Sequence, residues 1–380
     1  MSDHEPNDGP LTSVVYPGFS ALPAAYEQVF QEGGRTSFFL RRDWFQNFAA
    51  NVVQEPRRIR LYGVETRQGS PVAVLPVLWT PRGDRSVAPG RMEALANYYS
   101  TYFSPVLSGG QPNDRVARAL AAGLWSDRRQ WDVIALQPIE RGSEIYGDLA
   151  RSFGEVGMVV QTYFCFGNWY LDVAGRSYLE YVESLSSVLR KNIPYNIRRL
   201  EKTGRAKIAI VVHDAALDGA LDDYEKVYNS SWKIPEPFPQ FIRGLARLAA
   251  RNGMLRLGLI YMDGEPAAAQ IWIVNAGVAS IYKIAYDERY AKLSIGTVLT
   301  AKLMQHVIDV DRVRVVDYLS GDDDYKKAWM SHRREFWGIL GFNPRSVRGL
   351  AQIVRHVGGR FGRHVLGKIE RFTGAATDRG

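Results

Sequence analysis

Hydrophobic and polar positions follow the same order in the two halves of the chain. Residues 58–79 and 255–274 each predict a strand, a short turn and a second strand. Gly and Pro are common in any turn, so the hairpins alone prove little. The turns also share a Gly-x-Pro-x-Ala pattern, made of Gly69, Pro71 and Ala73 in the first and Gly264, Pro266 and Ala268 in the second.

Each predicted hairpin is followed by a helical pattern and then by a buried strand. These segments are 114–126 and 131–136 in the first half, and 294–309 and 313–319 in the second. Because the order of elements matches as well as the turns, the sequence predicts two copies of one α/β unit, joined near 160–180. We expect a degenerate N-terminal copy over 1–175, a second copy over 176–345 and a basic tail over 346–380.

The segment between the copies predicts an amphipathic helix. Apolar residues recur every three or four positions over 172–204. Pro194 is expected to kink or split this helix because proline has no N–H to donate, and Gly204 is expected to end it. Basic residues flank the apolar face, namely Arg190, Lys191, Arg198, Arg199 and Lys202.

Composition is that of an ordinary globular protein. Of 380 residues, 46% are hydrophobic and 23% are charged, which excludes global disorder and fibrous repeats. The net charge of +8 suits an anionic ligand, an anionic membrane or nucleic acid without choosing among them. Cys165 is the only cysteine, so we expect no disulfide and a reducing, cytoplasmic location. No apolar run is long enough to span a membrane, and no signal peptide is expected.

The first candidate for chemistry is a predicted helix start. A strand over 278–286 and a polar turn precede a helix that opens with Ser294, Gly296 and Thr297. The N–H groups of a helix start and the positive end of its dipole favour an anion, and Lys292 adds a cation just before it. Ser and Thr are also ordinary N-caps, so a purely structural role is the alternative.

A second candidate cluster follows the strand over 313–319. It contains Asp322, Asp323, Asp324, Tyr325 and Lys326 in succession, with His332 close behind. The distal Glu of a calcium loop is absent, so we expect no metal site, and a solvated acidic turn is one interpretation. The other is an amine-acylating site, in which a carboxylate such as Asp322 takes a proton and Tyr325 returns one to a leaving thiolate. His332 is another candidate base because its ordinary pKa lies near neutrality.

These segments resemble a known family. The runs SLSSVLRKNIPYNIRRLEKTG, DGEPAAAQ, IYKIAYDERYAKLSIGTVL and SGDDDYKKAW are similar to the GNAT-superfamily acetyltransferases grouped with cellulose-biosynthesis acetyltransferases. That family is itself similar to the FemAB peptidoglycan aminoacyltransferases. The resemblance implies tandem GNAT-like domains of the α/β (α+β) class, each a mixed, mostly antiparallel sheet flanked by helices. It also implies acyl-CoA as a co-substrate rather than a permanently bound cofactor. The pyrophosphate would lie on Lys292–Thr297, with Lys283 as a further contact, although this loop has fewer glycines than is usual in the family.

A narrower resemblance lies in the first half. The run ALANYYSTYFSPV and the basic tail look like the GNAT-type bacterial ceramide synthases, which N-acylate a sphingoid base. This resemblance implies that Tyr98, Tyr99 and Tyr102 form a wall for an alkyl chain. The alternative is that these rings pack in the core.

The tail from 345 to 372 combines an apolar row at helical spacing with seven cations and one glutamate. This pattern is typical of a helix on an anionic membrane surface. Packing on the protein body is the alternative, and nucleic acid is not expected because no groove-reading motif accompanies the tail.

The sequence therefore predicts an acyl-CoA-dependent N-acyltransferase, peripheral on the inner face of the membrane. The acceptor is predicted to be a lipid amine, most specifically a sphingoid base. Acetylation of a polysaccharide or small metabolite, FemAB-like aminoacyl transfer and a non-catalytic binding protein are the alternatives.

Overall fold

A computed structural model describes residues 9–83, 88–213 and 216–356 of the chain. Contacts divide the chain into two compact units. The first unit comprises Met1–Val29, Arg57–Cys165 and Trp337–Gly380, and the second comprises Phe30–Pro56 and Phe166–Phe336.

The described residues form thirteen strands and ten α-helices. In order they are β1 (Thr12–Tyr16), α1 (Tyr26–Thr36), α2 (Arg42–Asn51), β2 (Ile59–Glu65), β3 (Pro71–Thr80), β4 (Arg91–Ala94), β5 (Val106–Leu107), α3 (Asn113–Ser126), β6 (Val133–Glu140), α4 (Glu144–Glu155), β7 (Val159–Asp172), α5 (Tyr178–Ser184), α6 (Ser187–Glu201), β8 (Ala206–Val211), α7 (Leu217–Asn229), α8 (Pro239–Arg251), β9 (Leu255–Met262), β10 (Glu265–Asn275), β11 (Val278–Tyr286), α9 (Ile295–Gln305), β12 (Val315–Ser320), α10 (Asp324–Trp329) and β13 (His332–Phe342).

In the first unit, β1, β2, β3 and β4 form an antiparallel sheet, and β4 then pairs parallel with β6. Helix α3 packs on β1, β2 and β3, and α4 packs on α3. The core of this unit is aromatic and aliphatic, with Trp131, Phe153 and Leu120 fully buried.

In the second unit, β8, β9, β10 and β11 are antiparallel, β11 pairs parallel with β12, and β12 pairs antiparallel with β7. Helix α9 packs on β9, β10 and β11, and α7 packs on β10. Trp272, Leu299 and Met304 lie at the centre of its core.

The predicted duplication is visible in this topology. Strands β1, β2, β3, β4 and β6 repeat the order and pairing directions of β8, β9, β10, β11 and β12. Both hairpins turn at the predicted glycines, since Gly69 has φ 80° and Gly264 has φ 88°, a conformation that glycine adopts without steric cost. The predicted fold class, tandem GNAT-like domains with mixed, mostly antiparallel sheets flanked by helices, is confirmed.

The region between the copies differs from the prediction. The long strand β7, Val159–Asp172, occupies the first part of the expected junction at 160–180, and α5 begins at Tyr178. The predicted helix is split, but at 185–186 rather than at Pro194, which lies inside α6. The break lies there because Ser186 caps α6, its hydroxyl accepting the N–H of Leu189.

The borders of the two compact units fall at 165/166 and 336/337, and Phe30–Pro56 belongs to the second unit. The functional borders that we expect at 175 and 345 remain predictions. Of the predicted tail, residues 347–356 are helical, and its remaining positions lie outside the described residues. In the described part of the chain, no helix is both long and apolar enough to cross a bilayer.

Candidate active site

A cleft opens in the second unit where two parallel strands separate. The ladder between β11 and β12 pairs only Val278–Ser280 with Val315–Asp317. Beyond it, the end of β11, the start of α9 and the helix α10 surround a space of about 470 Å³. Its lining residues are Trp232, Lys233, Gln270, Ile284, Ala285, Tyr286, Gly296, Thr297, Thr300, Tyr318, Asp323, Tyr325 and Trp329.

The first turn of α9 faces this cleft. The N–H of Val298 is the first to bond back, to the carbonyl of Ser294, so the N–H groups before it have no acceptor within the helix. Ser294 lies in the left-handed region with φ 55°, and its side chain makes no cap hydrogen bond. Gly296 leaves room for the ring of Tyr286, whose Cδ1 would lie 3.0 Å from an added Cβ. Gly296 and Thr297 line the cleft, whereas Ser294 contributes the turn before α9.

A buried polar network fixes this turn against β10. The Nε2 of Gln270 donates to Thr300 Oγ1 at 2.9 Å and to the Gly296 carbonyl at 3.2 Å. Its Oε1 accepts from Trp272 Nε1 at 2.9 Å. Sequence reasoning missed Gln270, although a glutamine inside the apolar run AAAQIWIV is the signal that could have found it.

Positive charge also lies around the turn before α9. The short 3₁₀ helix Glu288–Leu293 replaces the predicted polar turn, and Asp287 caps it. Lys292 is exposed there. Its carbonyl accepts from Nη1 of Arg199, on α6, at 3.0 Å. The basic flank of α6 therefore reaches the candidate anion site.

Tyr325 lines the cleft from α10, beside Tyr318, with ring centroids 5.7 Å apart. Burial and the nearby charge of Asp323 raise the pKa of Tyr325 to about 12. The phenol therefore stays protonated at neutral pH and can donate a hydrogen bond into the cleft.

Lys326 and Asp322, which neighbour Tyr325 in sequence, do not line the cleft. The ammonium of Lys326 is buried, donates to the carbonyl of Ser320 and lies 3.2 Å from Asp323 Oδ2, closing the turn that starts α10. Asp322 is exposed and forms an ion pair with Arg333, Nη2 to Oδ2, at 2.7 Å. The hydrogen bond from Arg333 lowers the pKa of Asp322.

His332 lies at the start of β13, exposed to solvent and outside the cleft lining. Its Nδ1 is 2.7 Å from Ser331 Oγ, and its ring stacks on Tyr170 with centroids 5.3 Å apart.

A lysine that the sequence reasoning missed lies in the cleft. Burial, together with the charge of Lys283, lowers the pKa of Lys233 to about 8. Lys283 itself lies outside the lining, where its Nζ is 2.5 Å from Oε1 of Glu236. Burial lowers the pKa of Lys283 as well. A Trp-Lys pair before the Pro-rich turn at 235–239 is the only local signal for Lys233.

The tyrosines predicted to contact an alkyl chain lie in the first unit. Tyr99 is buried in its core, Tyr98 is exposed with its ring centroid 4.2 Å from that of Tyr99, and Tyr102 is half-buried. In this unit, β4 and β6 also pair over only three residues. The chain after β4 follows the end of β6 there, since the Phe103 N–H donates to the Pro138 carbonyl at 2.8 Å. In the first unit, residues after β4 thus occupy the place that corresponds to the cleft of the second unit.

Comparisons with known proteins agree with this architecture. The acetyltransferase (GNAT) domain family matches residues 187–327. The crystal structure of FemX is similar in fold, with a TM-score of 0.61 at 9% identity, covering 86% of this chain and 98% of FemX. A conserved protein of unknown function from Bacteroides thetaiotaomicron gives a TM-score of 0.51 at 11% identity, over 85% of this chain and 98% of that one. A tandem GNAT protein from the clavulanic acid biosynthesis pathway gives a TM-score of 0.47 at 13% identity, over 88% of this chain and 100% of that one. No curated protein sequence matches the chain.

Residues 187–327 are thus similar to acetyltransferase (GNAT) domains, and the chain is an acyltransferase. Domains of this family take acyl-CoA as a co-substrate and an amine as the acceptor. The match spans the cleft from Trp232 to Tyr325 and leaves out Trp329 and His332.

Proposed function

We propose that the cleft between β11 and β12 holds acyl-CoA and that the protein transfers its acyl group to an amine. The observation that carries this proposal is the separation of the two parallel strands beside the first turn of α9. Beyond Ser280, β11 no longer pairs with β12, and its residues Ile284, Ala285 and Tyr286 line the cleft.

The pyrophosphate of the donor would lie at the start of α9. Three helix-start N–H groups and the dipole of an eleven-residue helix favour an anion there. Arg199 and Lys292 supply fixed charge beside the same turn. The Gln270 network holds the turn in place before the ligand arrives.

In the transfer step, the amine nitrogen would attack the thioester carbonyl, the new C–N bond would form, and the C–S bond would break. Direct attack fits this chain because burial raises the pKa of Cys165, its only cysteine, to about 11, and that residue belongs to the first unit. Tyr325 would donate a hydrogen bond to the sulfur as it becomes negative. Since its pKa of about 12 exceeds the ordinary thiol value of about 8.5, its role is to stabilise the thiolate rather than to transfer its proton completely.

The amine must lose a proton during the attack. Lys233 is the group in the cleft best suited to take it, because its lowered pKa leaves a neutral fraction near pH 8. Asp323 also lines the cleft, although its carboxylate lies beside the Lys326 ammonium. Lys326, Asp322 and His332 remain candidates on sequence grounds, and variants of Lys326 and His332 are discussed below.

For the acceptor, our specific proposal is a long-chain amine such as a sphingoid base. It rests on the basic, amphipathic pattern of the tail. Acyl-CoAs and amines of graded chain length test it, with release of free thiol as the readout. Preference for acetyl-CoA and a small polar amine would contradict the lipid acceptor and leave N-acyl transfer standing.

Aminoacyl transfer is the second candidate. The observation in its favour is the exposed basic face of α6, with Arg190, Lys191, Arg198 and Arg199 near the α9 turn. This basic face suits the phosphate backbone of a tRNA that carries the aminoacyl group. Aminoacyl-tRNA offered beside acyl-CoA distinguishes the two, because only one of them should yield an acylated amine.

A further inference from the structure

A second cavity, of about 630 Å³, lies within the first unit, and arginine dominates its lining. It forms where the segment after β3, the turn after α3 and the start of the helical segment 347–356 meet. We call it the arginine pocket and define it by Arg82, Arg128, Arg129, Arg345 and Arg348. Among the described residues of this lining, Asp132 is the one acidic residue.

The floor of the pocket is built on Asp132, whose side chain is fully buried. Arg82 donates to both of its oxygens, at 3.0 and 2.7 Å, the Gly90 N–H donates at 2.8 Å, and the Ser346 hydroxyl donates at 2.6 Å. Burial alone would raise the pKa of Asp132, but these hydrogen bonds hold it below its ordinary value. The carboxylate therefore stays ionised and fixes both Arg82 and the start of the helical segment.

Two further guanidinium groups are held by an aromatic ring. Arg128 and Arg345 lie over Trp125, 5.4 and 5.5 Å from its ring centroid. Asn343 ties their backbones together, donating from Nδ2 to the Arg128 carbonyl at 2.8 Å and accepting the Arg345 N–H at 2.9 Å. These contacts set the positions of the cations before any ligand arrives, which lowers the entropic cost of binding.

Five guanidinium groups against one carboxylate give the lining a strong excess of positive charge. The planar fork of arginine matches pairs of phosphate oxygens and suits phosphate better than lysine does. The ligand chemistry that fits is therefore a phosphate group.

An exposed apolar row next to the pocket indicates which kind of molecule carries that phosphate. Val347, Leu350 and Val354 are 84%, 48% and 71% exposed at helical spacing, and Val347 also lines the pocket. Apolar side chains in a row beside clustered cations are typical of a helix that enters an anionic bilayer surface. We propose that the arginine pocket binds the headgroup phosphate of an anionic phospholipid, with these three side chains reaching the acyl region.

Co-sedimentation of the full-length protein with vesicles tests this proposal. Vesicles of phosphatidylcholine with added phosphatidylglycerol should bind the protein, and vesicles of phosphatidylcholine alone should not. Arg345→Glu should weaken binding about tenfold or more, because each charge near an anionic surface contributes on the order of 1 kcal/mol. Arg67→Glu is the matched control, since it makes the same charge change at an exposed hairpin turn outside the pocket. It should bind within about twofold of wild type.

Equal loss of vesicle binding in Arg345→Glu and Arg67→Glu would mean that net charge, not the pocket, drives binding, and would overturn the proposal.

A double variant, Val347→Ser with Val354→Ser, should also release the protein from vesicles. Full vesicle binding by this double variant would contradict the role proposed for the apolar row. If wild type does not bind vesicles while inorganic phosphate binds wild type and not Arg345→Glu, the ligand is a soluble phosphate compound. Arg345-dependent binding of DNA without vesicle binding would point to nucleic acid instead. Acyl transfer to a water-soluble amine reports the proposed function separately, since Arg345 lies outside the cleft lining.

Discussion

The Tyr325 phenol and the Lys233 ammonium line the same cleft, and burial moves their pKa values apart, to about 12 and about 8. Burial disfavours the charged form of each group. Tyr325 therefore stays a donor across the physiological range, while the neutral fraction of Lys233 grows as pH rises from 7 to 9. One side chain can stabilise a leaving thiolate, and the other can accept a proton from an amine.

Replacing Tyr325 with phenylalanine should lower kcat by about a hundredfold and leave the KM for acyl-CoA nearly unchanged, because the hydrogen bond matters only as the C–S bond breaks. Steady-state kinetics with thiol detection measure both constants. Tyr195→Phe, which removes the same hydroxyl from an exposed ring on α6, is the control. A variant with wild-type kcat would remove Tyr325 from the mechanism. His332→Ala, whose ring lies outside the cleft lining, should reduce kcat less than Tyr325→Phe does.

Replacing Lys233 with methionine should change the pH profile of kcat/KM. In the wild type, activity should rise between pH 7 and 9 with an apparent pKa near 8, because the neutral amine is the active form. The variant should lose this rise and most of its activity above pH 8. Lys226→Met, at an exposed position of α7, should keep the wild-type profile. If kcat/KM of Lys233→Met still rises near pH 8, a group other than Lys233 accepts the proton of the amine.

At the scale of elements, the start of α9 and the turn before α10 form two sides of the cleft, and the sequence marks both. Each is held by a buried polar contact that crosses between elements, Gln270 to Thr300 in one case and Lys326 to Ser320 in the other. The function of each turn can therefore be separated from its stability by choosing the right substitution.

Thr297→Asp should weaken CoA binding at least about tenfold, since it places a carboxylate where the pyrophosphate is proposed to lie. The same change should leave the free energy of unfolding unchanged or raise it by about 0.3–1 kcal/mol, because an acidic residue stabilises a helix start. Calorimetric titration and urea unfolding give the two quantities, with the neutral Thr297→Asn as the control. Wild-type affinity in the aspartate variant would argue against this phosphate position.

Lys326→Met should cost about 1–3 kcal/mol of unfolding free energy, because the Ser320 carbonyl and Asp323 lose their buried partner. Lys327→Met, at an exposed neighbouring position, should cost little. Urea unfolding measures the difference. If Lys326→Met is as stable as wild type but inactive, Lys326 acts in the chemistry directly rather than through the turn.

At the scale of the whole molecule, the sequence predicted the features that local patterns and the internal repeat determine. The duplicated order of strands, the glycine turns at Gly69 and Gly264, and the helix start at Gly296 all follow from spacing. Lys233 and Gln270 were missed because their importance depends on burial and on partners from distant elements. Tyr99 was assigned to a ligand wall because an aromatic run does not show which of its rings face the core. The place of Phe30–Pro56 in the second unit had no local signal.

In the described part of the chain, the second unit has an open cleft between its parallel strands where the first unit has its own residues, and this asymmetry is the basis for assigning catalysis to the second unit. In the first unit, the segment after β4 bonds to the end of β6 through Phe103 and Pro138. The central claim therefore concerns the binding site of acyl-CoA, which we propose to lie in the second unit, at the end of β11 and the start of α9.

Hydrogen–deuterium exchange of the full-length protein with and without CoA tests this claim most directly. We expect CoA to slow exchange at the amides of 281–286 and 295–299, with no comparable change in β4 or β6. Slowed exchange in other segments, with those two unaffected, would place the donor elsewhere and contradict the account.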